Sequence, residues 1–319
     1  MRLKNSALRA GALTSAMLLA LTACGGNGDD ETTEPDDANG AAEENGEAGD
    51  NGDEAADDGA EANGEALDLA LFGEEPYSWL DDDGEPTGAT IAVAEEIFGE
   101  RMGYDLQVEQ TDWDNLIPGL NAGNWDVVSA GMSVNADRCA QAAFGEPELV
   151  YTTALLVEEG NPYDVHDFDD LLAAQDEGED ISVVALTGGV ESPWLEDVGV
   201  EHEGVGNAQD GIDFVEGGRA DVFALTAISL ETMAGDMDGM EVTDAFSHEL
   251  SVGAHTFRPE DDDLREEFNE HLNELKESGE YLDIVSEFGF TDAEMPPAEL
   301  TTQELCEEDP AELTEQYSD

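Results

Sequence analysis

The sequence predicts an α/β protein of mostly parallel sheet with helices on both faces, divided into two modest lobes. Two observations carry this. From residue 67 onward, short apolar runs of strand type alternate with segments whose apolar residues recur at helical spacing, and repeated β-α units of this kind pack as parallel sheet between helices. The stretch that alternates, residues 67–319, is long enough for two lobes with a core each.

Taken in order, LDLALF (67–72) is a short apolar strand, followed by a loop, EEPYSWLDDDGEPTG (74–88). Ile91, Ala94, Ile97, Phe98 and Met102 fall at helical spacing, which predicts a helix over 89–103. DLQVEQT (105–111) alternates as a strand. WDNLIPGLNAG (113–123) reads as a helix ending at Gly123, and WDVVSAGM (125–132) as a buried strand. Strand character returns in ISVVALTG (181–188), ADVFALTA (220–227) and MEVTDAF (240–246). Leu264, Phe268, Leu272 and Leu275 then mark a long amphipathic helix. In such sheets ligands sit beyond the carboxyl ends of strands.

The ends of the chain and its charge set a compartment. Residues 1–24 begin with Arg2, Lys4 and Arg9, continue as an apolar run and end in Leu21-Thr22-Ala23-Cys24. This is the layout of a secretory signal, too short in its apolar part for a comfortable membrane span. The small residues before Cys24 resemble the lipobox of bacterial lipoproteins. That resemblance implies a signal peptide (1–23) and a lipidated Cys24, on the outer face of the cell membrane. The stretch to residue 66 is rich in Gly, Ala, Asn and acids and without a basic residue. It predicts a disordered tether. The whole chain has 81 Asp and Glu against 9 Lys and Arg, a net charge of −72. Nucleic acid is excluded as a partner, because its binding rests on Lys and Arg. Self-repulsion that salt screens points to a protein of brine.

EEPYSWLDDDGEPTG, TDWDNLIPGLNAGNWDVVSAGM, DRCAQAAFGEPE and GGRADVF occur in an order and spacing that resemble the periplasmic amino-acid-type solute-binding proteins of ABC importers. The resemblance covers about 67–306. It implies the type II periplasmic-binding-protein fold: two α/β lobes joined by two hinge crossings and closing on a small solute. Lobe 1 is then 67–155 plus 254–306 and lobe 2 is 156–253, with an acidic tail at 307–319. RCAQAAFGEPE, TAIS and the segment FGFTDAEMPPAELTTQELC look like the ectoine/hydroxyectoine-binding branch.

A carboxylate held between lobes needs a positive fork, and Arg supplies one that Lys cannot. Arg138 follows the strand WDVVSAGM, and in the family the Arg of this motif holds the ligand carboxylate. Arg219, in GGRADV, reads as a structural turn residue. A delocalised cation suits aromatic faces. Tyr77 and Trp113 match two aromatic positions of the branch, and Glu74 matches a carboxylate that accepts a ring N–H. The third aromatic position falls on Ser133, leaving Trp194 to close the cage or the cage two-sided. Ordinary α-amino-acid binders grip the ammonium with an Asp where this chain has Thr226. Thr187, Gly188 and Gly189 match the second-lobe loop, whose backbone N–H groups meet the carboxylate. Cys139 and Cys306 lie in motifs shared with the branch, and outside the cytoplasm two such thiols pair.

The resemblance therefore implies a lipid-anchored, monomeric, non-catalytic protein. It captures a small zwitterionic compatible solute, ectoine or hydroxyectoine, and hands it to ABC permease and ATPase subunits. A polar amino acid or a betaine is the alternative ligand; a dehydratase-like enzyme or a solute sensor on the same fold is the alternative role. The five His residues show no metal-ligand spacing, and no phosphate-binding or nucleophile motif stands out, so neither metal nor cofactor is expected.

Overall fold

A computed structural model describes residues 64–317. The expected signal peptide, Cys24 and nearly all of the tether lie outside the described residues. The strands, in chain order, are β1 (Ala66–Leu71), β2 (Trp79–Leu80), β3 (Pro86–Thr87), β4 (Asp105–Gln110), β5 (Val127–Ser133), β6 (Ala143–Phe144), β7 (Leu149–Glu158), β8 (Val183–Leu186), β9 (Glu203–Val205), β10 (Val222–Thr226), β11 (Met240–Val242) and β12 (Phe246–Phe257). The α-helices are α1 (Ala89–Ala94), α2 (Leu116–Ala122), α3 (Ala136–Cys139), α4 (Phe168–Glu177), α5 (Glu191–Val198), α6 (Ala208–Glu216), α7 (Ala227–Ala234), α8 (Asp262–Ser278), α9 (Glu280–Ser286), α10 (Thr302–Glu307) and α11 (Pro310–Tyr317).

One curled sheet runs β4-β1-β5-β12-β7-β10-β8-β9. Its two ends are parallel: β1 with β4 and β5 on one side, β8 with β10 and β9 on the other. Its middle is antiparallel, where β12 pairs with β5 and β7, and β7 pairs with β10. Strands β7 and β12 thus join the two parallel halves and are the two hinge crossings. The inner strands are buried on both faces, which explains their apolar and small sequences (VVSAGMS, VVAL, VFALT). Edge strand β4 alternates instead and leaves Asp105, Gln107 and Glu109 exposed. Helix α8 buries Phe268, Leu272 and Leu275 as its spacing predicts, and Phe98 stacks on Phe268 at 5.0 Å.

Two features differ from the reading of the sequence or go beyond it. The C-terminal segment is helical, and α11 packs on the core: Leu313 is buried in the same apolar cluster as Val134 and Val252, and the Leu250 N–H donates to Thr314 Oγ1 at 2.8 Å. Leu305 and Leu313 bring apolar faces that the acidic residues around them mask. The expected pairing also forms: Cys306 of α10 is joined to Cys139 of α3 by a disulfide, closing a separation of 167 residues. At the root of the hinge strands, His255 of β12 sits where the β5–β12 register shifts. Its Nδ1 lies 2.8 Å from Glu148 Oε1 and its Nε2 lies 3.0 Å from Ser129 Oγ. All three side chains are at most 2 % exposed, so this network satisfies buried polar groups while tying β5 and β12 to the start of β7.

Candidate functional site: a cleft between the two halves of the sheet

The carboxyl ends of β1 and β5 face those of β8 and β10 across a narrow cleft. Each end delivers a side chain. The turn after β1 presents Glu74 and Tyr77. β5 ends in Ser133, and Asn135 then caps α3 by accepting the Arg138 N–H at 3.0 Å, which turns the Arg138 side chain back into the cleft. The loop after β8 brings Gly189 and Glu191; β10 ends in Thr226. Glu74, Tyr77, Ser133, Arg138, Gly189, Glu191 and Thr226 line the cavity together with Trp113 and Tyr151.

The two walls touch. Arg138 donates from Nη1 to Ser133 O at 2.8 Å and from Nη2 across the cleft to Gly188 O at 2.7 Å. Trp113 Nε1 donates to the same Gly188 carbonyl at 2.9 Å, and the guanidinium lies 5.4 Å from the Trp113 ring centre. On the other side, Glu74 Oε1 accepts from Ser229 Oγ at 2.7 Å and lies 3.0 Å from Thr226 Oγ1. Tyr77 and Tyr151 meet edge to face at 5.0 Å. Their rings fit because positions 131 and 253 are glycine: a Cβ at Gly253 would overlap Tyr151 Oη, and one at Gly131 would come within 3.0 Å of Tyr151 Oη and of the Tyr77 ring.

The charges here are buried. Arg101, Arg258 and Arg265 lie within 4.0 Å of carboxylates, and Arg219 lies over the Phe214 ring. Arg138 is 8 % exposed and, among the described residues, has no carboxylate at salt-bridge distance. Burial lowers its pKa to about 10, with the Glu191 charge opposing. Burial also pushes Glu74 up, partly offset by the Ser229 and Thr226 hydroxyls. Glu191 is pushed up to about 7, first by burial and then by the charge of Glu74, against its own backbone N–H and Arg138. The phenols of Tyr77 and Tyr151 are held well above their usual range, chiefly by burial. Three buried polar atoms at the cavity have no hydrogen-bond partner among the described residues: Tyr77 Oη, Tyr151 Oη and Glu191 Oε1. Together the cleft offers one cation, two carboxylates and three aromatic rings to one small molecule.

Residues 71–291 match the family model for bacterial extracellular solute-binding proteins, family 3. This chain belongs to that family. Among its relatives, a probable amino-acid ABC transporter periplasmic-binding protein of Sinorhizobium fredii is 30% identical over 253 residues, 75% of this chain and 82% of that protein. The L-cystine-binding protein TcyJ of Escherichia coli is 26% identical over 219 residues, 67% and 78% of the two chains. Among solved structures, EhuB in complex with hydroxyectoine superposes with a TM-score of 0.68 at 28% identity, over 76% of this chain and 95% of EhuB. The fold is that of type II periplasmic binding proteins.

In this solute-binding protein, Glu74, Tyr77, Trp113, Ser133, Arg138, Gly189 and Thr226 all line the one cavity, and Gly188 joins them through its carbonyl rather than an N–H. Ser133 Oγ is engaged with Ser251 Oγ at 2.8 Å. Trp194 does not line this cavity. It lies one turn beyond Glu191 on α5, packs in the core of the second half with His248, and donates from Nε1 to Glu249 at 2.8 Å. The ring beside Tyr77 and Trp113 is Tyr151 of β7. Tyr151 and Glu191 escape the reading of the sequence, and Ser229 stands in the TAIS motif without being singled out as a site residue. Glu191 had a signal, since it stands two residues after Gly189 at the start of a helix. Tyr151 had none, because its place depends on glycines in two other strands.

Proposed function

We propose that this solute-binding protein captures one small zwitterion, ectoine or hydroxyectoine by preference, for an ABC importer. The observation that carries this is Arg138: a buried guanidinium that, among the described residues, has no ionic partner, in a chain crowded with acids, in a narrow cleft whose walls bring Glu74 from its own side and Glu191 from the other. A ligand carboxylate on Arg138 would neutralise it in a dry site. Tyr77, Trp113 and Tyr151 would face the ligand cation, with Glu74 accepting an N–H. Thr226, where ordinary α-amino-acid binders have Asp, directs its hydroxyl to Glu74 and leaves no compact ammonium grip there. The likeness to the hydroxyectoine complex supports the ligand, and the relatives named for amino-acid ABC transport support the importer. Glu74 has a binding role that explains its place without catalysis. The lobes are 67–155 with 254–306, and 156–253. The chain works as a monomer outside the cytoplasm, held by lipid on Cys24, and Cys24→Ala releases it from membranes.

Calorimetric titration in high salt with ectoine, hydroxyectoine, glycine betaine and an amino-acid panel tests the ligand. Ectoine is expected to bind more tightly than any standard amino acid. Arg138→Ala should cost about 2–5 kcal/mol of affinity, and Arg138→Lys should lose affinity too, because the fork is gone. Heat with an α-amino acid and none with ectoine would overturn the ligand; an Arg138→Ala protein that binds as the parent does would overturn the site.

A further inference from the structure

Glu191 has no role in the reading above, yet its position demands one. It is 2 % exposed, it lines the cavity, and its Oε1 has no hydrogen-bond partner. A buried carboxylate oxygen without a donor is costly unless something else supplies one. Arg138 does not: the bonds that it makes go to Ser133 O and Gly188 O. Glu74, contributed by the opposite wall, already takes two hydroxyls on one oxygen.

The charge count points the same way. With a ligand carboxylate on Arg138, the site retains two acidic groups for a single ligand cation. A quaternary ammonium could use the rings but has no proton for either carboxylate. A cyclic amidinium has an N–H on each side of its central carbon, and a guanidinium has more; either can donate to two walls at once.

We infer that Glu191 is the second acceptor for the ligand's cationic head, opposite Glu74, and that the cleft selects solutes whose cation carries N–H donors on two sides and rejects a fully methylated ammonium. This rests on the proposed site, in which Arg138 holds the ligand carboxylate.

The test is titration of the full chain and of its Glu191→Gln and Arg138→Ala variants with ectoine, L-arginine and glycine betaine. The parent should bind ectoine or L-arginine and give no heat with glycine betaine. Glu191→Gln should weaken the bound probe roughly 10- to 100-fold, the scale of a hydrogen bond to a charged group. Affinity of the parent should rise from pH 6 to pH 8 as Glu191 ionises, with Glu74, Arg138 and the phenols of Tyr77 and Tyr151 as the groups around it, and Glu191→Gln should flatten that rise. If Glu191→Gln binds the probe as the parent does while Arg138→Ala has lost it, the inference is wrong and the site stands. Glycine betaine binding as tightly as ectoine or L-arginine also overturns the inference. If Arg138→Ala keeps full affinity, or no probe binds the parent, the reading beneath it falls as well.

Discussion

Glu191→Gln should stabilise the ligand-free protein, and only at neutral to alkaline pH. The carboxyl sits near pH 7 in the folded chain against an ordinary 4.5. At about 1.4 kcal/mol for each tenfold change in proton affinity, burying the ionised form costs about 3 kcal/mol. The sign follows from proton binding. Between these two values the folded state holds the proton more tightly than the unfolded state, so stability falls as pH rises through that window. Gln is close in size, and the Oε1 that it replaces has no partner to lose. Burying the amide has its own cost, but that cost does not change with pH. The difference in stability between variant and parent should therefore grow in the variant's favour by about 2–3 kcal/mol from pH 5 to pH 8.5. For a chain of this size that is about 5–10 °C in melting temperature. Melts at fixed high salt across that range decide the matter. A variant whose advantage is the same at both ends, or shrinks as pH rises, would show that Glu191 is not a buried carboxyl of raised affinity.

Trp113→Ala should lower ligand affinity by about 0.5–2 kcal/mol through lost cation–π contact and packing, while Trp194→Phe should leave it within twofold; equal losses in a titration would contradict the placement of the two rings. Replacing Cys139 and Cys306 with Ser should destabilise the fold by up to about 5 kcal/mol, the entropy of a 167-residue loop, and an unchanged denaturant midpoint would argue against a structural bridge. Melting temperature should climb from dilute buffer to molar salt as repulsion among the acids is screened; a flat profile would remove the halophile reading.

The parallel parts of the fold were legible because their strands are buried on both faces and must be apolar. The runs at 67–72, 125–132, 181–188 and 220–227 coincide with β1, β5, β8 and β10. The joining strands were harder. β7 was not singled out, and of β12 only the first residue was foreseen. Pairing of β12 with β7 is interrupted between Phe246 and Ser251, and its pairing with β5 shifts at His255, so its course follows from neighbours distant in the chain. Arg138 stood out in the sequence because cations are rare there. Glu191 did not, for the opposite reason: among 81 acids, nothing local separates a buried carboxylate from a solvated one. The helical C-terminus was legible in part, since Thr301 and Glu304 form a capping box and precede Leu305.

Ser129, His255 and Glu148 stand in the order and at the spacings of a hydrolase relay, hydroxyl to imidazole to carboxylate, at 3.0 and 2.8 Å. A distance template alone would retrieve them as a nucleophile with its base. Yet the hydroxyl is 0 % exposed and the imidazole 1 %, and nucleophilic attack requires that a substrate carbonyl reach the oxygen. Access therefore divides two uses of one geometry. In a cleft, the hydroxyl–imidazole bond is there to be broken in turnover. In a hinge root, the same bond is a fastener whose value lies in never letting go.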